Sequence, residues 1–111
     1  MVETGIVTRF VSTRGFGWIE AQADGEEIFF RFGQGRFIVA GVEKPEFTDQ
    51  PPSDRTARLQ RLRSPMEGDR IVFERGEGEI GPVAKKWGYL SAWKTAEVLI
   101  AERVKKGGKG G

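Results

Sequence analysis

The chain has 111 residues, a formal net charge of +2 and a sequence pI of about 9.2. It contains no Cys and no His, which excludes disulfides, metal sites built from these ligands, and catalysis by a Cys nucleophile or a His base. The length suits one domain, and no apolar run approaches the length of a membrane span. We therefore expect a soluble cytoplasmic protein that makes no use of a membrane and needs no cofactor.

The first predicted strand covers residues 5–11. Val7 is expected to point into the core, whereas Thr8, Arg9 and Phe10 are expected to supply an open face. A turn at Ser12 and Thr13 then leads into the next strand.

The second predicted strand, residues 15–21, carries Phe16 and Trp18 two positions apart. Residues two apart in a strand share a face, so both rings should point one way while Ile19 points into the core. Arg14 adds a cation at the edge of these rings. The alternative is that the rings form an ordinary core, but the strand would then have to bury both of its faces.

A turn signal at residues 24–25 predicts a hairpin into a third strand, residues 27–32. This strand carries Phe29, Arg31 and Phe32, so further rings alternate with a further cation. Aromatic rings interleaved with arginines on an open sheet face are typical of proteins that bind single-stranded nucleic acid. Bases stack on the rings and the cations follow the phosphates.

The segment after the third predicted strand has the least regular pattern of apolar and polar residues in the chain. Residues 38–66 are predicted to form a long loop between the third and fourth strands. The apolar residues 38–40 that open it either add a short strand or pack under the barrel. Four arginines in this loop follow one another without an intervening acid: Arg55, Arg58, Arg61 and Arg63. They are interpreted either as solvated charges or as an arm that tracks phosphates.

The remaining chain predicts two strands and a helix. The fourth strand lies within residues 65–74 and the fifth within residues 82–90. Residues 91–106 are predicted as a short helix, although a strand that extends the sheet is the alternative. The helix would carry one apolar stripe, formed by Trp93, Ala96, Ile100 and Val104. Residues 107–111 are predicted as a flexible tail.

Five segments resemble the cold-shock domain family and follow one another in the family's order. Residues 14–19, Arg-Gly-Phe-Gly-Trp-Ile, look like its first ribonucleoprotein motif, Lys-Gly-Phe-Gly-Phe-Ile. Residues 28–32 resemble its second motif, Val-Phe-Val-His-Phe. Residues 5–10 resemble its opening Gly-x-Val-x-Trp-Phe, residues 67–74 its fourth strand, and residues 81–84 the Gly-Pro-x-Ala that opens its fifth.

The resemblance implies an all-β fold, a five-stranded antiparallel OB-type barrel over residues 1–90, with Trp87 in the core at a position that is usually aliphatic and inward in the family. Phe37 looks like a Phe with which the family's loop stacks on a base, and it is expected either to stack in this way or to anchor its own loop. The resemblance also implies binding of single-stranded RNA or DNA with low sequence specificity, a preference for pyrimidine-rich strands, and an RNA-chaperone or gene-expression role without catalysis. Two positions depart from the family: Arg9 stands where the family has Trp, and Arg31 where it has His. Both departures shift the expected surface from stacking toward charge.

The candidate binding residues are Arg9, Phe10, Arg14, Phe16, Trp18, Phe29, Arg31, Phe32 and Phe37. The rival interpretation is a protein-interaction module, in which the barrel is a scaffold and the C-terminal helix docks on a partner protein or on a second copy. An enzyme has less support, because no pair of carboxylates with an activating neighbour stands out in the sequence.

Overall fold

The computed structural model describes residues 1–51 and 64–110, with side chains described as far as residue 105. Its elements are β1 (Val2–Val11), β2 (Phe16–Ala21), β3 (Glu27–Arg31), a 3-10 turn (Phe32–Gln34), β4 (Phe37–Ala40), β5 (Pro45–Thr48), β6 (Arg70–Gly78), β7 (Gly81–Tyr89) and α1 (Leu90–Gly110). The four arginines interpreted either as solvated charges or as a phosphate arm lie outside the described residues.

Five strands close into a barrel in the order β1-β2-β3-β7-β6. The expected closed β-barrel is confirmed, but the expectation of a purely antiparallel barrel is wrong, because β3 and β7 pair in parallel through Phe29 and Val83. The reason is the connection: β6 and β7 form an antiparallel hairpin and β6 pairs antiparallel with β1. The return strand β7 therefore runs in the same direction as β3.

The segment expected to be a long loop begins instead with a hairpin. β4 and β5 pair antiparallel from Phe37 opposite Thr48 to Ala40 opposite Pro45, and together they form a separate two-stranded sheet. The short strand considered for residues 38–40 is therefore present. Ile38 is fully buried between this hairpin and the barrel's outer layer, which explains why an apolar run opens the segment.

The barrel interior is filled mainly by inward residues of all five strands. Phe30 and Phe73 are among the largest fully buried side chains, and Trp87, only 2 % exposed, packs with them as predicted. Trp87 contacts the Phe30 ring edge to face at 5.3 Å between centroids. Its indole Nε1 donates a hydrogen bond of 2.7 Å to the backbone carbonyl of Arg31, so the polar atom of this buried ring is satisfied.

A second apolar cluster lies outside the barrel, between β6, the β4–β5 hairpin and α1. Val72 of β6 faces Ala92 and Ala96 of α1, and all three are essentially inaccessible to water. β6 is consequently buried on both faces, with Ile71 and Phe73 in the barrel and Val72 beneath the helix. The small alanines let the helix axis approach the sheet closely.

The predicted C-terminal helix is confirmed, and it is longer than expected. α1 begins at Leu90, directly after β7, and extends to Gly110. Within the described residues, none of the helices is both long enough and apolar enough to cross a membrane.

One ion-pair network ties the β2–β3 turn to the opposite side of the barrel. The Arg75 guanidinium on β6 lies 2.6 Å from a Glu3 oxygen, 3.0 Å from an Asp24 oxygen and 2.7 Å from a Glu26 oxygen. Hydrogen bonds from Arg75 and from the Glu26 backbone N–H lower the pKa of Asp24, while the bonds to Glu3 and Asp24 raise the pKa of Arg75.

This network predicts how stability changes in acid. Because folding lowers the pKa of Asp24, its contribution is present above the pKa of the unfolded chain and is lost as the pH falls through the folded-state pKa. We expect Asp24→Asn to lose less thermal stability than the parent between about pH 5 and pH 2. The change of thermal stability with pH is measured from unfolding curves recorded by circular dichroism at each pH. Asp49→Asn, which removes an exposed carboxylate bound to Arg36 instead, is the control. Equal acid sensitivity of the parent and Asp24→Asn would contradict the prediction.

Candidate functional site

Strict alternation along β2 and β3 places a set of aromatic side chains on the outer face of the barrel. Gly17 and Ile19 of β2 are buried, whereas Phe16 and Trp18 are only partly buried. On β3, Ile28 and Phe30 are buried and Phe29 between them is not. The prediction that Phe16 and Trp18 face away from Ile19 is therefore confirmed, and the barrel is filled without them.

Phe16, Trp18 and Phe29 contact one another, and we call these three residues the aromatic platform. Their ring centroids are 5.6 Å apart for Phe16 and Trp18, 5.6 Å for Phe16 and Phe29, and 6.0 Å for Trp18 and Phe29. The rings are tilted or edge to face rather than parallel, the arrangement favoured by aromatic quadrupoles. Since Trp18 pairs directly with Phe29 across the two strands, the register itself holds the platform together.

Two arginines lie over the platform. The Arg9 Cζ is 5.6 Å from the centroid of the Trp18 ring, and the Arg31 Cζ is 5.5 Å from the centroid of the Phe29 ring. Both arginines are exposed. At these distances each guanidinium interacts with the ring beneath it and still presents its other face and its N–H donors to solvent.

A bulge decides the position of Arg9. Gly5 and Val7 of β1 are buried, so simple alternation would turn Arg9 inward as well. The pairing between β1 and β2 shifts between Val7 and Arg9, which places Arg9 opposite Trp18 on the outer face. At this irregularity the Thr8 hydroxyl donates a hydrogen bond of 3.3 Å to the carbonyl of Trp18.

The same shift turns Phe10 toward the barrel. Its ring stacks on the buried Phe30 at 5.7 Å between centroids. Phe32, after the end of β3, also packs against the barrel core, with its ring centroid 6.4 Å from that of Phe10 and 6.3 Å from that of Trp87. Phe10 and Phe32 thus form a second, partly buried aromatic group, separate from the platform.

Gly17 explains the close approach of β1 beneath the platform. A Cβ at this position would collide with the backbone carbonyl of Arg9 and lie 2.9 Å from the Phe30 ring. The glycine is thus required by packing on the inner side of the sheet. Any larger residue would push β1 away from β2 and separate Arg9 from Trp18.

Charge divides the outer face into two regions. In the cross-strand pairs, Arg31 lies opposite Phe16 and Arg9 lies opposite Trp18, so cations accompany the platform. The next outward-facing pair of β2 and β3 is Glu20 opposite Glu27, and both carboxylates are exposed. Like charges directly opposite each other repel. A polyanion would therefore be attracted to the platform and repelled from the adjoining acidic end.

Two further predicted binding residues, Arg14 and Phe37, are not part of the aromatic platform. Arg14 is exposed in the β1–β2 turn. Phe37 is partly buried at the start of β4, and the ring contacts of the described residues do not join it to the platform. Stacking on a base and anchoring of the loop both stay predictions for its ring.

Sequence reasoning did not find a cleft beside the platform, between β3 and the turn that joins β6 to β7. Its volume is about 610 Å³, and Phe29 forms one wall. Arg31 and Lys85 contribute cations to it and Ile80 contributes an exposed apolar side chain. The only signal in the sequence was the run Lys85-Lys86-Trp87, which does not reveal its neighbour across the parallel β3–β7 pair.

No group of three or more Asp, Glu, His or Cys side chains in the described residues is arranged to hold a metal ion. The groups that the platform and its arginines offer are aromatic rings, guanidinium groups and hydrogen-bond donors, which suit flat rings and anions. Comparison with protein-family models and with curated proteins found no match for this chain.

Proposed function

We propose that this protein binds single-stranded RNA or DNA on the outer face of β1, β2 and β3. The observation that carries the proposal is the aromatic platform with Arg9 and Arg31 over its rings. Three large rings grouped on a surface leave apolar area in contact with water, and such groups in a protein whose core is already filled mark a binding surface.

In the proposed complex, bases stack on Phe16, Trp18 and Phe29. Each stacked base contributes about 1–3 kcal/mol in comparable proteins. Every base has a π face, so stacking by itself discriminates weakly among bases, in keeping with low sequence specificity. Phe10 and Phe32, which pack on the core, would contribute only through their exposed edges.

The arginines supply the second part of the mechanism. Arg9 and Arg31 can bind phosphates with their N–H donors or stack a base on the guanidinium plane. Arg14, in the adjoining turn, extends the cationic region. The acidic pair Glu20 and Glu27 repels phosphates at the other end, so the strand is expected to cross the platform rather than follow β2 and β3 along their length.

We further propose that the barrel is of the OB type and that the chain is a cold-shock-like protein. A closed barrel of five strands and binding through the strand 2–3 face are properties of OB folds. The RNA-chaperone or gene-expression role, the preference for pyrimidine-rich strands and the cytoplasmic location belong to the same proposal. For Arg55, Arg58, Arg61 and Arg63 the two alternatives, solvated charges or a phosphate arm, both stay predictions.

The test is a fluorescence titration with oligo-dT, oligo-U and a duplex at two salt concentrations. Trp18 lies on the platform, whereas Trp87 is buried and Trp93 packs on Phe47 away from the platform, so stacking of a base should quench mainly Trp18. We expect both single strands to bind more tightly than the duplex and to weaken as salt rises. If the Trp18→Phe variant no longer shows the quenching, the fluorescence change is assigned to Trp18. Equal binding of duplex and single strands, or no binding of any of them, would overturn the proposal.

A second candidate function is protein interaction through α1. Val98 is 53 % exposed and Val104 is 67 % exposed on this helix, and either a partner protein or a second copy of the chain could cover them. Sedimentation velocity over a range of protein concentrations tests self-association. A monomer at all concentrations would leave only a different protein as the partner.

Arg9→Trp is predicted to exchange charge for stacking. Since Arg9 lies over Trp18, an indole at this position would offer a wider ring but no phosphate contact. We expect tighter binding of oligo-dT at high salt and a slope of log K against log salt that is shallower by roughly 0.7. Titrations of the parent and the variant from low to high salt measure both quantities.

Lys44→Gln is the matched control, because Lys44 is an exposed cation on the β4–β5 hairpin and should leave the slope unchanged. Weaker binding of Arg9→Trp at every salt concentration would show that Arg9 makes a contact that an indole cannot replace.

A further inference from the structure

The cleft between β3 and the β6–β7 turn continues the platform on its far side. Phe29 belongs to both, since its ring contacts Phe16 and Trp18 and also lines the cleft. Val83, the residue paired with Phe29 across the parallel strands, lines the cleft as well. A volume of about 610 Å³ lies within the range of small-molecule sites. A strand that leaves the platform over Phe29 therefore meets a cavity large enough for a nucleotide.

The lining of the cleft separates into apolar walls and polar groups. Phe29 and Val83 provide one apolar side, and Ile80, which is 90 % exposed at the turn, is free to cover the other face of a flat group. Arg31 and Lys85 provide cations for a phosphate. A nucleobase between apolar walls, with its phosphate on these cations, matches this division.

Two further side chains, Gln34 and Glu79, can read the edge of the base. Glu79 is exposed, and within the described part of the chain its carboxylate makes no ion pair, so both oxygens are available as acceptors. A carboxylate accepts two parallel hydrogen bonds only from a partner that presents two adjacent N–H donors.

Only one common base presents such a pair. Guanine carries a ring N–H beside an exocyclic amino group. In adenine and cytosine the amino group is next to a ring nitrogen that is itself an acceptor, and in uracil and thymine the ring N–H lies between two carbonyl oxygens. A carboxylate would face lone pairs in each of those four bases, which costs free energy in a partly dehydrated site.

We propose that this cleft is a nucleotide subsite that prefers guanine, with Glu79 accepting from the guanine edge, Phe29 and Ile80 on its two faces, and Lys85 near its phosphate. This inference rests on the proposed function and adds a selective position to a surface that is otherwise tolerant of sequence. It predicts that the preference for pyrimidine-rich strands is broken at a single position of the bound strand.

The experiment uses the full chain and a labelled thymidine hexamer in which each position in turn carries dG, dA or dC. Binding is measured by fluorescence anisotropy. We expect dG at one position to tighten binding roughly tenfold, the size expected for one bidentate pair, with no comparable gain for dA or dC. A single dG per strand also avoids association of the oligonucleotides through guanine runs.

Variants of the turn assign the preference. Glu79→Gln should remove the gain for dG. The affinity for the plain thymidine hexamer should rise slightly, because the neutral amide can donate to thymine where the carboxylate faced its lone pairs. Glu77→Gln is the matched control, because Glu77 is an exposed carboxylate on the same hairpin that does not line the cleft. Ile80→Ala, which removes an exposed side chain, should reduce the gain without affecting folding.

The outcomes separate this inference from the proposed function. If the parent binds the thymidine hexamer but dG is favoured at no position, the guanine subsite is wrong and the platform stands. If dG is favoured and Glu79→Gln keeps the full gain, the assignment to this cleft is wrong. If no oligonucleotide binds, both proposals fail.

Discussion

Replacing Phe16, Trp18 and Phe29 together with Ala should weaken binding of oligo-dT by at least about a hundredfold while the barrel still folds. Each ring is expected to stack on a base and none is part of the buried core. Because the variant lacks Trp18, binding should be measured by anisotropy of a labelled oligonucleotide. Folding should be checked by far-ultraviolet circular dichroism and by the cooperativity of thermal unfolding.

The matched control for this variant is Phe47→Ala. Phe47 is also a partly buried aromatic residue, but it packs on Trp93 of α1 at 5.6 Å, away from the platform. The Phe47→Ala variant should bind oligo-dT with the same affinity as the parent protein. The platform is not the binding surface if the triple variant keeps the parent's affinity, and it is structural if the variant loses cooperative unfolding.

Phe30→Ala should have the largest effect on stability, a loss of about 3–5 kcal/mol in the free energy of unfolding. Phe30 is 1 % exposed, stacks on Phe10 and contacts Trp87 edge to face, so its removal leaves a cavity in the centre of the barrel. Urea unfolding measures the loss. The protein that stays folded should keep its aromatic platform and bind oligo-dT.

Phe29→Ala is the control for this change, since the same side chain is removed one residue earlier, from the outer face of the same strand. It should lose less than half as much stability as Phe30→Ala and far more affinity for oligo-dT. Equal losses of stability in the two variants would show that the outer ring is as important to the core as the inner one.

Much of the platform could be predicted from the sequence, because the period of a strand is a local property. Phe16, Trp18 and Phe29 alternate with Gly17, Ile19 and Ile28, and a small barrel has room inside for only one of these two sets. A helical period predicted the helix that begins near residue 90, and the resemblance to cold-shock domains implied that Trp87 lies in the core.

Strand periodicity gives the wrong side-chain orientation after the bulge in β1. The bulge between Val7 and Arg9 reverses the alternation of β1, so Arg9 faces outward and Phe10 packs toward Phe30. The amino-acid types at residues 7–9 do not by themselves predict this shift in register. It depends on the pairing of β1 with both β2 and β6 in a closed barrel.

The sequence by itself therefore determined which residues of β2 and β3 face the core and where the C-terminal helix lies, since these depend on side-chain patterns within single elements. The five-strand barrel was expected from the resemblance to cold-shock domains, and the inward position of Phe10 was not expected. The tertiary structure decided the parallel pairing of β3 with β7, the second apolar cluster around Val72, the network of Arg75 with Glu3 and Asp24, and the cleft beside Phe29. Each of these joins residues far apart in the chain. Their proximity follows from the closure of the barrel and from the packing of α1 and the β4–β5 hairpin on its outside, and no pattern within a single element predicts it.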